Sequence, residues 1–400
     1  TDFYKQLRSE DKLDHDEAVR DTLVAILMSP HFCYRVDVPP PGDGIFPLSD
    51  DALANRLSYF LWSSMPDAEL LAEAKAGKLR HPETLVKQAR RMLQDDRIRG
   101  LATEFGGNWL DFRRFEEYNA VDRERFPGFT NELRQAMFEE PIRYLIDVAQ
   151  NDHSVLDLIY AKHTFANPVL ARHYEMPAWD AADEWRRIDD ANQYGRGGLL
   201  PMAVFMTKSA PGLRTSPVKR GFWVVRRFLG EHIPAPPPNV GELPADEAKL
   251  GDLTLPQMLA KHRDDKNCSV CHVRFDSVGL AFEGYGAIGE RRNIDFGGKA
   301  VQATAVFPNG SEGDGLEGLR TYLHDARQND FLDNVCRKLL SNALGRSLML
   351  SDEITVKEMR IHLAAHDNRF SSLIDTIVTS PQFLTQRGRG ANEVDSEKGN

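Results

Sequence analysis

Apolar residues recur at helical spacing through most of the chain. Residues 14–28 predict a helix that Asp14 can cap, with Glu17 three positions on and Ser29-Pro30 as its end. Strand-like alternation is scarce before residue 200, so we predict a helical bundle over residues 1–175. Further predicted helices cover residues 49–65, 84–95, 97–110, 130–150 and 154–160.

A proline-rich stretch separates this bundle from a second group of predicted elements. Pro234-Ala235-Pro236-Pro237-Pro238 is typical of a stiff polyproline spacer. After it, Pro308-Asn309-Gly310 predicts the turn of a hairpin around Gly297–Gly313. The other predicted helices run from about 222 to 229, near 254–264, and as three or four helices between about 315 and 380.

The fold class that follows is mainly α. An N-terminal helical bundle region precedes a proline-rich linker, and a helical domain with a small β-hairpin follows it. The predicted segments are an N-terminal helical segment (1–48), a helical scaffold or docking domain (49–233), the linker (234–249), a C-terminal domain (250–386) and a polar tail (387–400).

Composition and charge narrow the classes of protein. Of the 400 residues, 41% are hydrophobic, which excludes a fully disordered chain. The formal net charge of −10 argues against a general nucleic-acid binder, because such a protein needs a positive surface. No apolar run approaches the roughly 18 residues of a membrane span, so no transmembrane segment is expected. The chain opens at Thr1 without a signal-peptide pattern, and if the protein is exported we expect its signal to have been removed.

One motif carries chemistry. Cys268-Ser269-Val270-Cys271-His272 has the C-x-x-C-H spacing at which c-type haem is attached. Two thiols three positions apart on a helical turn can form thioethers with the two vinyl groups of the porphyrin. His272, the next residue, then lies under the iron as its proximal ligand. The motif predicts one covalent haem c.

Two other interpretations of the motif stay open. A zinc site needs four ligands, of which the motif supplies two or three. A distant fourth could be His262 or Cys336. A thioredoxin-like redox pair needs a βαβ setting, whereas this motif follows a short predicted helix and precedes a glycine-rich loop.

Several segments beyond the motif resemble a bacterial family of c-haem proteins. The family is abundant in planctomycetes, myxobacteria and some proteobacteria, and is catalogued largely as consecutive domains of unknown function. The resemblance covers nearly the whole chain and is specific in its order. Its segments are Ser29-Pro30-His31-Phe32 with Tyr34-Arg35, residues 57–67 (LSYFLWSSMPD), residues 214–221 (RTSPVKRG), residues 263–292 around the motif, and residues 338–346 (KLLSNALGR).

The resemblance implies a cytochrome c-like haem domain over residues 250–386 and an extracytoplasmic location more firmly than it implies a reaction. The chain departs from the family at two points. Asp276-Ser277 stands where the family has Asp-Pro, and Glu283-Gly284-Tyr285-Gly286 stands where it has Glu-Asn-Phe-Asp. Members often carry a further cytochrome-like region upstream, so we expect this chain to be a processed or separately encoded piece.

The ligand on the other side of the iron would set the chemistry. A His/Met pair favours electron transfer at raised potential, a bis-His pair lowers the potential, and an open position allows peroxide or small-ligand chemistry. The candidates are His262 and Met349. Each could equally be structural, His262 as a helix-end histidine and Met349 as a core methionine.

Basic residues are candidate partners for haem propionates or for an acidic protein. Arg214, Lys219 and Arg220 form the densest basic segment of this acidic chain, and Arg292 follows the motif. A solvated surface patch is the alternative for this segment. Separately, Cys33 and Cys336 could pair in an oxidising compartment, or could be buried thiols.

We therefore expect a periplasmic or otherwise extracytoplasmic monohaem c-type cytochrome. It would act as the electron-transfer subunit of an oxidoreductase complex, together with a protein redox partner or a dehydrogenase-like subunit, because electron carriage alone needs a far smaller chain. One alternative is a haem enzyme with an open distal site and peroxidase-like or oxidative chemistry. The other is a structural protein with zinc at the Cys/Cys/His motif.

Overall fold

The protein is mainly helical, as the sequence predicts. Helices hold 58% of the residues and strands 7%. Within the described part of the chain, no helix combines the length and the apolarity that a membrane span requires. The structure is a computed structural model and describes residues 2–34, 39–181, 184–234, 246, 254–263 and 266–389. Within these ranges, the side chains of residues 31, 262, 263 and 266–268 are not described.

Up to residue 223 the chain is built from short and medium helices. The longest of them, α8, has 20 residues and contains Pro141. The helices are α1 (Asp2–Ser9), α2 (His15–Met28), α3 (Pro30–Cys33), α4 (Asp50–Trp62), α5 (Ala68–Lys75), α6 (Pro82–Leu93), α7 (Gly107–Trp109), α8 (Asn131–Gln150), α9 (Asp157–Tyr160), α10 (Pro168–His173), α11 (Ala203–Lys208) and α12 (Pro217–Trp223).

From residue 255 onward the described helices are fewer and mostly longer. They are α13 (Leu255–Arg263), α14 (Lys266–Leu280), α15 (Gly315–Tyr322), α16 (Gln328–Leu344), α17 (Glu353–Ala365), α18 (Phe370–Thr379) and α19 (Pro381–Leu384). Wider π-helical turns occur at Leu101–Gly106, Val224–Phe228 and Leu323–Arg327. Short 3₁₀ turns occur at Asp96–Ile98, Phe115–Glu117, Ala191–Tyr194 and Leu350–Asp352.

The strands are three residues long and form antiparallel pairs. They are β1 (Ile45–Pro47) with β6 (Thr385–Arg387), β2 (Thr164–Ala166) with β3 (Arg186–Ile188), and β4 (Thr304–Val306) with β5 (Glu312–Asp314). The pair β4–β5 is the predicted hairpin, and its turn is closed by a hydrogen bond from Phe307 N–H to Ser311 O at 2.8 Å. The other two pairs were not predicted, because three residues are too few to show alternation.

The chain forms two compact units. The first comprises residues 1–52 and 385–400 and contains α1–α3 with the β1–β6 pair. The second comprises residues 53–384, so residues on both sides of the predicted linker share one unit. Of the predicted linker, 234–249, only Pro234 and Asp246 are described, and the predicted tail, 387–400, is described only as far as Arg389. The predicted domain boundaries stay predictions.

An aromatic cluster joins early and late segments of the second unit. Phe228 stacks on Phe331 of α16 with ring centroids 5.5 Å apart, and it contacts Trp223 at 5.1 Å and Trp109 at 6.1 Å. Aromatic rings at these separations bury large apolar areas and add favourable ring contacts. The cluster therefore ties the end of α12 to the helices that follow the motif.

Two of the predicted helices can be compared directly with the structure. The helix predicted over 14–28 is confirmed, and both hydrogen bonds of a capping box form between Asp14 and Glu17. The segment predicted as a helix over 97–110 is helical, with 3₁₀ and π-helical turns before α7. Gly100 allows this segment to pack closely on α4, since a Cβ there would lie 2.0 Å from Trp62 O.

Candidate functional site

The Cys-x-x-Cys-His motif lies in the first half of α14. The second half of this helix is anchored in the core by Phe275 and Val278, which are buried at helical spacing. Cys271 is a half-buried free thiol and His272 is half-buried. The side chain of Cys268 lies outside the described residues, so the joint attachment by both cysteines stays a prediction.

Asp276 fixes the orientation of the His272 ring. The two residues lie one turn apart on α14, with His272 Nδ1 2.9 Å from Asp276 Oδ1. The Asp276 side chain is fully buried. Because a carboxylate accepts hydrogen bonds, the proton of the neutral ring belongs on Nδ1 and Nε2 is the nitrogen that can bind a metal. Metal-binding histidines commonly have such a carboxylate partner.

Two apolar side chains beside the motif are exposed. Val270 is 69% exposed and Val273 is 54% exposed, although valine is usually buried. The Phe275 ring lies 5.0 Å from the His272 ring, measured between centroids. By helical spacing these two valines lie on the side of α14 away from Cys271 and Phe275, so a group attached at Cys271 would leave them uncovered. The fit to a haem group therefore depends on the Cys271 thiol and on the His272 imidazole with its carboxylate partner.

The basic segment of the sequence begins α12. Ser216 accepts the Lys219 backbone N–H at 3.3 Å, and Pro217 occupies the first turn, which together start the helix. The Lys219 side chain is exposed. Arg214 is buried and its Nη1 donates to Thr215 O at 2.6 Å. The segment therefore begins a helix, with the Lys219 side chain exposed and the Arg214 side chain buried.

α12 crosses α14 at backbone contact distance. A Cβ on Gly221 would lie 1.9 Å from Phe275 O, and a Cβ on Gly279 would lie 1.8 Å from Pro217 O. No residue larger than glycine fits at either position without moving a helix. The crossing holds the helix that carries the motif in a fixed place.

Arg220 clamps the loop that follows α14. Its side chain has 0% exposure. Nη1 donates to Phe282 O at 2.9 Å and to Tyr285 O at 2.7 Å, and Nη2 donates to Gly286 O. A buried guanidinium that is bonded to three carbonyls organises the loop around itself. Arg220 is therefore part of the interior and not of a solvated patch.

Glu283 is the counter-charge of this region. Its Oε2 lies 2.7 Å from Arg292 Nη2 and accepts the Thr215 hydroxyl at 2.9 Å. Its Oε1 lies 3.8 Å from Arg220 Nη1. The structure therefore brings Arg220 and Arg292 together on one buried carboxylate, and Arg214 is linked to the same group through Thr215.

Glu231 ties α14 to the π-helical turn Leu323–Arg327. It accepts hydrogen bonds from Arg274, two residues past His272, and from Arg327. Burial alone would raise the pKa of Glu231, but the hydrogen bonds from Arg274 and Arg327 lower it overall. The carboxylate is thus held in its charged form and bridges the two helical segments.

The two candidates for the second axial ligand differ in their surroundings. His262 lies in the last turn of α13, and its side chain is outside the described residues. Met349 precedes the 3₁₀ turn Leu350–Asp352, where its backbone N–H donates to Asp352 Oδ2 at 2.7 Å. Met349 is 41% exposed, which differs from the core methionine considered as its alternative and leaves the thioether accessible.

Cys33 and Cys336 are both free thiols, so they are not paired in this structure. Cys33 is exposed, and its Sγ donates to Leu27 O at 3.0 Å. Cys336 is buried on α16, and burial raises the pKa of its thiol to about 12.

Three carboxylates that organise the site were not singled out from the sequence. Asp276 had a usable signal, because it follows His272 by four positions on a predicted helix. Glu283 and Glu231 had none, since their partners lie on other elements. Spacing along one helix can reveal a partner, whereas contacts between elements require the fold.

Three family models match consecutive parts of the chain. Each is described as a protein of unknown function: DUF1592 over residues 48–176, DUF1588 over residues 196–295 and DUF1585 over residues 309–383. No curated protein and no solved structure matches the chain. Domains of these three kinds occur in cytochrome c-like proteins. Residues 48–383 thus contain matches to three consecutive domains of unknown function, which is consistent with the family that the segments resemble.

Proposed function

We propose that this protein is an extracytoplasmic monohaem c-type cytochrome that transfers electrons within an oxidoreductase complex. The observation that carries the proposal is the pairing of His272 Nδ1 with the buried Asp276 carboxylate. It leaves Nε2 of the motif histidine as the nitrogen for iron, next to the Cys271 thiol on the same helix.

Each part of α14 has a role in this proposal. Cys268 and Cys271 would hold the porphyrin through thioethers, and His272 would bind the iron. Asp276 orients the imidazole and raises its basicity. When bound, the haem supplies reversible one-electron chemistry. The Gly221–Gly279 crossing keeps α14 in place, so that little has to move when an electron arrives.

The partner and the location follow from the same chemistry. Thioether attachment of haem c belongs to an extracytoplasmic compartment, which motivates the proposed periplasmic or other external location. The chain is several times larger than electron carriage requires. We assign the surplus to docking of a protein redox partner or a dehydrogenase-like subunit.

Optical spectroscopy on the haem-loaded full chain tests electron transfer against other chemistry. The proposal expects reversible one-electron titration and a reduced spectrum that carbon monoxide does not change. A Cys268→Ser/Cys271→Ser variant should lose the haem, and a Cys336→Ser variant should retain it. A chain that holds zinc and no haem in its native form would contradict the proposal.

A second candidate function is favoured by the same carboxylate. A histidine ligand made more basic by a carboxylate pushes electron density onto the iron, which assists oxidative chemistry when the distal position is open. This candidate predicts that carbon monoxide and cyanide bind readily. It also predicts peroxide-dependent turnover that Asp276→Asn slows.

A further inference from the structure

A polar cavity lies at the end of α14 remote from the motif. Its volume is about 490 Å³, within the roughly 300–1,000 Å³ of small-molecule sites. α14 ends at Leu280, which at 1.5 Å per residue is about 12 Å along the helix axis from His272. The walls come from residues 192–196, 281–293 and 301–320.

Arginines outnumber carboxylates in the lining of this cavity. Four arginines contribute to it, against two carboxylates, Asp314 and Glu317. The whole chain has a net charge of −10, so this excess is a local feature. Two of the arginines are paired with carboxylates, Arg292 with Glu283 and Arg320 with Glu317, so the excess positive charge that attracts an anion comes from the other two. The four are Arg196, Arg291, Arg292 and Arg320.

Three of these arginines are fixed by the protein. Arg196 is 1% exposed and donates to Pro201 O and Gly289 O at 2.5 and 2.6 Å. Arg320 donates to two backbone carbonyls at 3.0 and 2.6 Å and to Glu317 Oε1 at 2.6 Å, and Arg292 is held by Glu283. These groups form a rigid wall that costs nothing to assemble when a ligand binds.

The remaining donors are open. Arg291, Asn192 and Asn293 line the cavity and are exposed. Among the residues that the structure describes, none forms a side-chain hydrogen bond or ion pair with these three. One guanidinium fork and two amides therefore face the space without protein partners.

We propose that this cavity binds a small organic carboxylate that also carries hydroxyl groups. The Arg291 fork matches a carboxylate in two parallel hydrogen bonds. The amides of Asn192 and Asn293 suit hydroxyl groups, since each offers a donor and an acceptor. A haem propionate offers the same carboxylate chemistry and is the competing source.

Isothermal titration with D-gluconate, on the full chain with attached haem, tests the proposal. D-Glucose is the uncharged comparison. We expect saturable gluconate binding at one site, at least about tenfold weaker binding of glucose, and at least about tenfold weaker gluconate binding by Arg291→Gln. Asn293→Ala should weaken gluconate binding in the same direction.

Two controls keep the result decisive. Arg172→Gln removes another exposed arginine that does not line the cavity, and it should leave the affinity unchanged. Gluconate should bind the Cys268→Ser/Cys271→Ser chain as it binds the haem-loaded chain. The proposal would be overturned if gluconate showed no saturable binding, or if Arg291→Gln bound it as tightly as wild type with an unchanged melting temperature. Binding to the haem-free chain alone would also overturn it, because the cavity would then belong to the haem propionates.

Discussion

His272 Nδ1 lies 2.9 Å from the carboxylate of Asp276, one turn further along α14, and that carboxylate is fully buried. A partner of this kind makes the imidazole a stronger electron donor to any metal on Nε2. It therefore favours the more oxidised state of a bound iron. The same contact fixes the ring plane, so the metal position is set by the helix itself.

Replacing Asp276 tests this relationship. Asp276→Asn keeps the size of the side chain but removes its charge, so the ferrous state gains stability. We expect the midpoint potential of the haem-loaded chain to rise by about 60 mV, a tenfold change in a one-electron equilibrium. Asp11→Asn, at an exposed position of the first unit, is the control. An unchanged potential in a folded Asp276→Asn protein would count against the role of Asp276.

The Gly221–Gly279 crossing predicts a sharp loss of stability. A Cβ at Gly279 would overlap Pro217 O at 1.8 Å, so Gly279→Ala must push α12 and α14 apart. We expect the free energy of unfolding to fall by about 2–4 kcal/mol. Gly284→Ala, where nothing lies within 4 Å of the added Cβ, should change it little. Denaturant melts of both variants measure the difference, and equal melts would contradict the close crossing.

The buried Arg220 side chain should be required for the stability of the folded protein. Arg220→Ala removes the donors to Phe282 O, Tyr285 O and Gly286 O, and leaves Glu283 with less compensating charge. The free energy of unfolding should drop by about 3 kcal/mol or more. Arg172→Ala is the matched surface control. Wild-type stability of Arg220→Ala in a thermal melt would exclude the clamp.

Glu140 predicts a pH dependence of stability. It is buried on α8 and accepts the Thr164 and Tyr174 hydroxyls at 2.6 Å each. Burial raises its pKa to about 7. The folded state thus holds this proton after the unfolded chain has released it. The free energy of unfolding should therefore fall by roughly 3 kcal/mol as pH rises from 4.5 to 7, and stay level above that.

Glu140→Gln checks this directly, because glutamine imitates the protonated acid. The decline between pH 4.5 and 7 should disappear in this variant. Glu139, the preceding residue, forms an ion pair with Arg99. The control variant Glu139→Gln should keep the decline of unfolding free energy with pH. Urea melts across this pH range give the slopes, and parallel slopes for wild type and Glu140→Gln would refute the assignment.

Local signals in the sequence predicted the local features well. The Asp14 and Glu17 capping box and the Pro308-Asn309-Gly310 hairpin are confirmed, because both depend on residues a few positions apart. The mainly α class is also confirmed, since it follows from apolar spacing. The motif itself was found from its spacing alone.

Relations between distant segments could not be predicted in this way. The β1–β6 pair joins residues 340 positions apart through strands of three residues. The basic segment was a candidate surface, yet Arg220 is buried against a loop 62 to 66 residues away. Such contacts depend on how helices pack, which a single sequence does not encode in any short window.

Covalent haem attachment is the central claim, and a pyridine haemochrome spectrum tests it most directly. The full chain should be produced where haem c is attached, then denatured and extracted with acid–acetone. The account predicts one haem per chain that stays with the polypeptide, and none in the Cys268→Ser/Cys271→Ser variant. A chain that retains no haem after extraction would contradict the account.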